Sequence, residues 1–420
     1  MRIGIFTESY PPLVNGVSTS VLMLKRALEK KGNIVYIVTV SNESLKYQYD
    51  ENEKVLRLPS LSLHVYDYRF TSVYPVKAIN KIKKMNLDVI HTNVEFTIGM
   101  FARIVSKQLG IPLVHTYHTM WEDYTHYVTK GNKMLDKPAK EVVKYLSVFW
   151  GDTTATELIV PTKKIYNLFR DKYRVSKNIH IVPTGIEVES FYKENFETYN
   201  LNKYRKSVGI TKKDFVIITV SRIAKEKSID RLIINHKKII ENNPNIKLLI
   251  VGDGPDMKKL VDLSNNLNLG NNVIFVGKVP LDEVKNYYQI GDLFVTASTT
   301  ETQGLTVVEA MASSLPVVAV NDESFNNVIV DGLNGYLFED DNEYVEKILK
   351  IYNDKKLCIS LSKQSRILSE GYSSKYFAER ILDVYNIAIK DYNDKNRMFI
   401  NKIKNSIRKR KFKNEKSSSS

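Results

Sequence analysis

Short apolar runs alternate with longer amphipathic stretches along most of the chain. One series of predicted strands comprises RIGIF, IVYIVTV, LDVIHTN, IPLVHTYHT, DTTATELIV and NIHIVPTG. A second series begins near Asp214 and comprises FVIITVSR, IKLLIVGDG, VIFVGKV, DLFVTAS, LPVVAV and GYLF. Strands this apolar, separated by helices, predict parallel sheets covered on both faces. Two such series predict two doubly wound α/β domains.

The predicted domain boundary lies near 184-TGIEVESF-191, where the strand pattern pauses before a polar stretch. We therefore expect a first domain over 1–187 and a second over 188–375, which suits a chain of 420 residues. Residues 376–394 have helical spacing and are predicted to pack back on the first domain. Residues 395–420 are rich in Lys and Arg, end in SSSS, and are predicted to form a flexible tail.

The composition is that of an ordinary soluble globular protein, with 43% hydrophobic and 26% charged residues. The N-terminus is typical of a first strand and loop rather than of a secretory signal, and no apolar run is long enough to span a bilayer. The single cysteine, Cys358, allows no internal disulfide and fits a reducing cytosol. These features predict a cytoplasmic protein.

The positive charge is concentrated in two segments. Of the net +15, residues 395–416 carry +9 and residues 64–86 carry +4, which leaves +2 for the rest of the chain. Basic segments with interspersed apolar residues favour an anionic partner, either a membrane or a nucleic acid. The nucleic acid is the less favoured partner because the tail has few aromatic residues to stack on bases.

Within the second of these segments, 75-PVKAINKIKKMN-86 has the pattern of an interfacial helix. Apolar residues recur at every third position, and four lysines that we predict to bind a membrane lie between them, namely Lys77, Lys81, Lys83 and Lys84. The alternative is an ordinary surface helix whose apolar side packs on the sheet. Both can hold together, because lysine stems lie along apolar surface while their ammonium groups reach outward.

Polar residues that directly follow predicted strands are the candidates for chemistry, because ligands of open α/β sheets bind at the carboxyl ends of strands. Gly16 follows RIGIF and opens a Ser/Thr-rich helix, where backbone N–H groups can approach a phosphate; a plain turn is the alternative. His118 follows IPLVH at the strand end, whereas His115 lies inside the strand as a core residue. A histidine can hydrogen-bond a sugar or act as an acid or base. No second ligand stands at a metal-binding spacing, so no metal is predicted.

A basic cluster follows the strand FVIITV. Arg222, Lys225 and Lys227 are close together in sequence, just before a predicted helix. Two or three cations fixed at a strand end suit a diphosphate, and arginine adds a bidentate geometry. A solvated charged loop is the alternative.

The stretch 298-STTETQGLTVVEAMA-312 combines two carboxylates with a helix N-terminus. Glu301 lies in the loop and Glu309 about one turn inside the helix. The backbone amides between them suit phosphate oxygens, and they belong to Gln303, Gly304, Leu305 and Thr306. Carboxylates are strong acceptors for paired hydroxyls, so the two ends are predicted to bind sugar and ribose.

Taken together, these motifs resemble those of the retaining glycosyltransferases of family 4, which have the GT-B architecture of two Rossmann-like domains facing a cleft. The resemblance rests on Glu301-x7-Glu309, on Arg222-x4-Lys227, on VGDGPD at 251–256 and on the GV at 16–17, and it covers nearly the whole chain. It implies that the C-terminal domain binds a nucleotide-sugar and the N-terminal domain binds the acceptor.

The resemblance also implies roles for the donor-binding residues. Arg222 and Lys227 would hold the diphosphate and stabilise its charge as it leaves. Glu309 would bind the ribose hydroxyls, Glu301 the hydroxyls of the transferred sugar, and the loop Gly277–Val279 the base, with Val279 as its contact.

On the acceptor side, the resemblance implies that His118 hydrogen-bonds the donor sugar near the reacting carbon and that Gly16 approaches the diphosphate. Together with Arg222, Lys227 and Glu301, His118 forms the predicted catalytic set. No protein nucleophile or base is assigned, because the leaving phosphate is thought to accept the acceptor's proton. No tightly bound cofactor is implied beyond the nucleotide-sugar donor, UDP-glucose being favoured.

Two N-terminal stretches, IGIFTESYPPLVNGVSTSV and HTYHTMWEDYTHYV, are similar to those of the family's bacterial members that glucosylate diacylglycerol. This implies transfer of α-glucose to the 3-hydroxyl of 1,2-diacylglycerol by a protein peripheral to the inner face of the cell membrane. The alternatives are a GDP-mannose-dependent transferase acting on a phosphatidylinositol-type lipid, a transferase adding a second glucose to a glycolipid, and a nucleotide-sugar epimerase.

Overall fold

The N-terminal strands form a mostly parallel sheet. The structure is a computed structural model that describes residues 1–13, 16–41, 45–62, 69–125 and 133–417. Within them the first sheet has the order β10-β9-β8-β7-β1-β2-β4-β3, and only β3 is antiparallel to its neighbour. Its strands are β1 Arg2–Phe6, β2 Ile34–Val40, β3 Gln48–Asp50, β4 Val55–Leu58, β7 Val89–Thr92, β8 Leu113–Thr116, β9 Glu157–Val160 and β10 Ile179–Ile181. A separate hairpin pairs β5 Leu61–Ser62 with β6 Arg69–Phe70.

Helices cover both faces of this first sheet, as its apolar strands require. They are α1 Gly16–Lys30, α2 Val76–Lys83, α3 Thr97–Leu109, α4 Lys133–Val148 and α5 Lys163–Asn167. A 3₁₀ turn at Trp121–Tyr124 precedes α4, and a π-helical turn at Phe149–Thr153 follows it. The edge strand β3 and its neighbour β4 were not predicted, because charged residues interrupt the apolar pattern of YDENEKVLRL.

The second sheet is parallel throughout and has the order β13-β12-β11-β14-β15-β16. Its strands are β11 Phe215–Val220, β12 Ile246–Val251, β13 Val273–Gly277, β14 Leu293–Thr296, β15 Val317–Val320 and β16 Gly335–Phe338. The surrounding helices are α6 Thr198–Ser207, α7 Ile229–Ile240, α8 Met257–Asn266, α9 Leu281–Ile290, α10 Leu305–Ala312, α11 Asp341–Asn353 and α12 Lys355–Ser369. The strand order reverses between β11 and β14, which opens a crevice at their carboxyl ends. The predicted fold of two doubly wound domains is confirmed.

The last helix, α13 Ser374–Ser417, returns to the first domain. Phe377, Ile381 and Tyr385 are buried in the core that contains β1 and α1. The Tyr385 hydroxyl also lies 2.7 Å from His91 Nδ1 on strand β7. The chain thus crosses between the two domains twice, once after β10 and once before α13.

The backbone of residues 395–417 continues α13 as a helix, which differs from the flexible tail predicted from Lys395 onward. Gly371 is the last Gly or Pro of the sequence, so no residue in this stretch interrupts the backbone pattern of a helix. The prediction relied on the charge of the segment and gave too little weight to the absence of helix-breaking residues. Residues 418–420 lie outside the described residues.

Helix α2 turns most of its apolar residues into the core of the first domain, and only Val76 among them is exposed. Ile79, Ile82 and Met85 are buried there among strand residues. The apolar side predicted to face a membrane is therefore occupied, and the alternative of a helix packed on the sheet is the correct one for these residues. The lysines lie outside this core: Lys77, Lys83 and Lys84 are exposed, and Lys81 stacks over the ring of Tyr49 at 3.8 Å.

Candidate active site

The predicted cation and carboxylate come together at the crevice of the second sheet. Lys227 lies in the turn that follows β11, and Glu301 lies in the loop that follows the neighbouring strand β14. The Lys227 ammonium forms an ion pair with the Glu301 carboxylate, and both side chains are mostly buried. Burial by itself raises the pKa of Glu301, but the charge and hydrogen bond of Lys227 hold it below its usual value. The Glu301 carboxylate is therefore held in its ionised form by Lys227.

The other two cations of the basic cluster lie nearer to solvent. Arg222 is exposed, and its guanidinium is 3.9 Å from the carboxylate of Glu226. Lys225 is exposed as well, in the same turn as Lys227. Arg222 and Lys227 therefore offer two cations at the end of β11, one exposed and one mostly buried, as a diphosphate site requires.

Helix α10 begins at the same end of the sheet. Gly304 has φ +74°, and a Cβ there would lie 2.6 Å from the ring of Phe325, so only glycine fits this turn. The turn starts the helix at Leu305 and Thr306, whose N–H groups belong to the first turn and have no partner within the helix. Such amides, at the positive end of the helix dipole, are suited to bind phosphate oxygens.

The Gln303 side chain forms hydrogen bonds to the segment that links the two domains. It accepts a hydrogen bond from the backbone N–H of Thr184 at 2.7 Å and donates one to the Thr184 carbonyl at 2.9 Å. Both bonds join the second domain to the segment that links the two domains. The Gln303 side chain is thus committed to Thr184, and only its backbone amide is left for the phosphate contact predicted from the sequence.

Two more interdomain bonds flank this loop. The Thr162 hydroxyl donates to the Thr302 carbonyl at 2.8 Å. Lys164, on α5 of the first domain, donates to both carboxylate oxygens of Asp322 at 2.8 and 2.9 Å and to the Thr299 carbonyl at 2.9 Å. The loop that carries Glu301 is therefore fastened to the first domain on both sides.

Glu309 lies one turn inside α10, and its carboxyl has a raised pKa. The hydroxyl of the buried Tyr288 donates to its carboxylate at 2.8 Å. Burial raises the pKa of Glu309 to about 7, and the Tyr288 hydrogen bond opposes this rise only in part. The carboxyl is thus poised to ionise near neutral pH, where a pair of ribose hydroxyls could donate to it.

On the first domain, His118 lies two residues beyond β8 and is held by a neighbour. Its Nε2 is 2.8 Å from Oδ1 of Asn93, which follows strand β7. Burial lowers the pKa of His118 to about 4, so the ring is neutral at physiological pH. With Nε2 donating to Asn93 Oδ1, Nδ1 is left as an acceptor for a hydroxyl. His115 is fully buried, as predicted.

Asn93 and Glu8 lie at the same edge of the first sheet as His118 and were not singled out by the sequence analysis. Asn93 Nδ2 is buried and has no hydrogen-bond partner among the described residues, which leaves a donor at the strand end. Glu8 follows β1 and accepts hydrogen bonds from the hydroxyl of Thr97 and the N–H of Ile98 at the start of α3. Asn93 directly follows β7, and Glu8 lies two residues beyond β1, as His118 does beyond β8, so the same positional signal would have found them.

The remaining predicted contacts occupy separate places. Gly16 is the first residue of α1 and is exposed, with open space where a Cβ would lie. Val279 lies just beyond β13, and its side chain is partly buried against the core of the second domain. Among the described residues no cluster of three or more His, Cys, Asp or Glu side chains is placed to hold a metal ion.

Comparisons with known proteins identify the family of the chain. Residues 14–190 match the domain described as Glycosyltransferase Family 4, and residues 201–368 match Glycosyl transferases group 1. The chain is 37% identical over 408 residues to an alpha-monoglucosyldiacylglycerol synthase of Acholeplasma laidlawii, which covers 96% of this chain and 100% of that protein. It is 35% identical over 394 residues to the synthase of the same name from Streptococcus pneumoniae, covering 93% and 86%.

Solved structures give the same fold. The crystal structure of Anabaena HepE in complex with UDP and glucose superposes with a TM-score of 0.70 at 18% identity, covering 92% of this chain and 99% of that one. Sucrose-phosphate synthase from Thermosynechococcus elongatus gives a TM-score of 0.70 at 19% identity, covering 91% and 98%. The chain therefore belongs to glycosyltransferase family 4 and is a hexosyltransferase of the GT-B fold.

Proposed function

We propose that this protein transfers α-glucose from UDP-glucose to the 3-hydroxyl of 1,2-diacylglycerol, with retention, on the cytoplasmic face of the membrane. The observation that carries the proposal is the 37% identity to a synthase of monoglucosyl-diacylglycerol over that protein's whole length. The arrangement of ionisable groups at the crevice of the second sheet supports it.

The donor would lie along the N-terminus of α10. Its ribose would donate to Glu309, and its diphosphate would meet the first amides of α10 together with Arg222 and Lys227. The transferred glucose would then reach Glu301. Glu309 is four residues beyond the first residue of α10, about 6 Å along the helix axis, which leaves room for the phosphates between the two carboxylates.

Donor binding would exchange one set of ion pairs for another. In this structure Lys227 is paired with Glu301. An arriving diphosphate competes for the ammonium, and the hydroxyls of the glucose replace it at the carboxylate. Lys227 and Arg222 then stabilise the negative charge that grows on the leaving UDP, which is the large electrostatic contribution in such a transfer.

In the transfer itself, the bond between the anomeric carbon and the UDP oxygen breaks as the acceptor oxygen bonds to that carbon on the same face. The acceptor's proton passes to an oxygen of the leaving phosphate, so no protein base is required. His118 is neutral and oriented by Asn93. Its Nδ1 accepts a hydrogen bond from a hydroxyl of the glucose and holds the sugar ring near this carbon. Its role is to position the donor sugar.

The acceptor is a lipid, so the protein must work at a membrane surface. Within the described residues no helix is long and apolar enough to cross a bilayer. The charge of +15, concentrated in the last helix and in the segment around α2, favours attraction to an anionic leaflet.

The test is a transfer assay with labelled UDP-glucose or GDP-mannose and vesicles that contain diacylglycerol. We expect label from UDP-glucose on a lipid product whose anomeric proton shows an α-linkage. Label from GDP-mannose alone would support the phosphatidylinositol-type mannosyltransferase, and label only when a monoglucosyl lipid is supplied would support the second-sugar transferase. Epimerised UDP-sugar without lipid product would support the epimerase, and each of these results would overturn the proposal.

A further inference from the structure

Helix α4, Lys133–Val148, exposes a row of apolar side chains to solvent. Met134 is 85% exposed, Leu135 55%, Val142 58% and Tyr145 75%. Large apolar residues exposed singly are common, but four on one short helix form a patch that needs a physical reason.

The four residues lie on one side of the helix. At 3.6 residues per turn they fall, together with the exposed Pro138, within an arc of about 100°. The opposite side carries Ser147, which is buried, and Asp136, which accepts a hydrogen bond from the Thr125 hydroxyl at 2.6 Å. We call the exposed arc of Met134, Leu135, Pro138, Val142 and Tyr145 the apolar stripe.

Lysines border the apolar stripe on one flank. Lys137 and Lys144 lie on this flank, with Glu141 between them and the stripe and 3.9 Å from Lys144. Lys140 lies on the opposite side of the helix, paired to Asp136 at 2.8 Å. An apolar arc with lysines on its flank is the pattern of a helix that lies in the interface of a bilayer, where apolar groups enter the acyl boundary and ammonium groups meet lipid phosphates.

The position of the helix in the chain connects it to the cleft. His118 is followed by the turn Trp121–Tyr124, which contacts α4. Trp121 packs edge-to-face on Phe96 at 5.0 Å, and the same Phe96 ring meets Trp150, just beyond α4, at 5.5 Å. The helix and the loop that bears His118 are therefore parts of one packed unit on the acceptor side.

We propose that α4 docks on an anionic bilayer through the apolar stripe and thereby presents the cleft to a lipid acceptor. The choice of a bilayer over a protein partner follows from charge complementarity, since the lysine flank adds to a strongly cationic chain. Helix α2 offers no comparable stripe, because Ile79 and Ile82 are in the core and only Val76 of its large apolar residues is exposed. The purpose of the docking rests on the proposed function; the docking itself is measured without any donor or acceptor.

The experiment uses the full-length protein and vesicles of phosphatidylcholine with and without phosphatidylglycerol. The test variant is Val142→Glu/Tyr145→Glu. The matched control is Ile359→Glu/Ile367→Glu on α12 of the second domain, where the two residues are 60% and 51% exposed and the charge change is the same. We expect the test variant to lose about tenfold or more in flotation with anionic vesicles, and the control to float like the wild type.

Wild-type flotation of the test variant would overturn the proposal, and so would equal losses in both variants, because the effect would then come from net charge alone. Stabilisation of both variants by UDP in a thermal melt shows that each is folded. A test variant that is monomeric where the wild type is dimeric, with vesicle binding intact, would make the stripe an interface between two copies and overturn the proposal.

Insertion depth gives a second, independent readout. A Tyr145→Trp variant carries a tryptophan in the stripe, and we expect vesicles with brominated acyl chains to quench the fluorescence that it adds. Absence of this quenching while the protein is bound would overturn the proposal. If flotation depends on the stripe but no glucose reaches diacylglycerol, the docking surface stands and the proposed function fails.

Discussion

Replacing Glu309 by Gln should change how the stability of the second domain depends on pH. Burial raises the pKa of this carboxyl from its ordinary value of 4.5 to about 7. A carboxyl with a raised pKa in the folded state stabilises the fold fully below the unfolded pKa, and this contribution is lost as pH rises towards the folded pKa. Above pH 7 the fold therefore carries the cost of an ionised, mostly desolvated carboxylate.

The magnitude follows from the gap between the two pKa values. Each pH unit corresponds to about 1.4 kcal/mol, so the gap amounts to about 3 kcal/mol, which solvent screening of this partly exposed group reduces to about 2–3 kcal/mol. Glutamine keeps an oxygen to accept the Tyr288 hydroxyl but does not ionise. The stability of Glu309→Gln relative to the wild type should therefore rise by this amount between about pH 5 and about pH 8.5.

The assay is thermal unfolding of both proteins across this pH range, followed through the transition that UDP shifts. For a domain of this size the expected relative gain is about 4–10 °C at the alkaline end. Glu346→Gln on α11 is the control, because Glu346 is largely exposed and its loss should leave the pH profile unchanged. A difference between Glu309→Gln and wild type that is the same at acid and alkaline pH would refute the reasoning.

Three further predictions concern the site and the tail. Lys227→Ala should lower glucosyl transfer about 100-fold or more, because the leaving diphosphate loses its buried cation, whereas Lys225→Ala should retain most activity in the same kinetic assay. UDP should bind wild-type protein several-fold more tightly as pH rises through about 7, since ribose hydroxyls prefer the ionised Glu309; calorimetry on Glu309→Gln should give a flatter profile, and equal profiles would contradict the ribose contact. Deleting residues 395–420 should weaken sedimentation with anionic vesicles and make it less sensitive to salt, and unchanged binding would show that the tail is not an anchor.

Much of the fold and part of the site were predictable from the sequence because both depend on local signals. Apolar strands separated by helices predict a parallel sheet. Polar residues that follow the strands lie at its carboxyl edge, and Arg222, Lys227 and Glu301 were chosen as candidates for that reason. Their pairing was not predictable. Lys227 and Glu301 are 74 residues apart, and they meet only because β11 and β14 are neighbours in the sheet.

The prediction that the apolar side of α2 faces a membrane was wrong for a physical reason. Apolar residues recur every three to four positions both in a helix that faces a core and in one that faces a membrane. The pattern of α2 could therefore not reveal that Ile79 and Ile82 are buried. No prediction was made from the sequence for α4, whose Val142 and Tyr145 are exposed. Only the packing of each helix on its sheet distinguishes the two cases.

The interdomain bonds connect the Glu301 carboxylate to the relative position of the domains. Glu301 lies in a loop that is hydrogen-bonded to the first domain and to the interdomain segment. The Thr302 carbonyl accepts a hydrogen bond from the Thr162 hydroxyl, and the Gln303 side chain forms two hydrogen bonds with the backbone of Thr184. Since Lys227 belongs to the second domain and these anchors belong to the first domain and the interdomain segment, any rotation between the domains must pull on the loop and alter the Lys227–Glu301 pair. In the proposed function, donor binding would act on the same pair from the other side, because the diphosphate would compete for Lys227. A single ion pair would then respond both to the presence of donor and to the closure of the cleft, without requiring a separate switch.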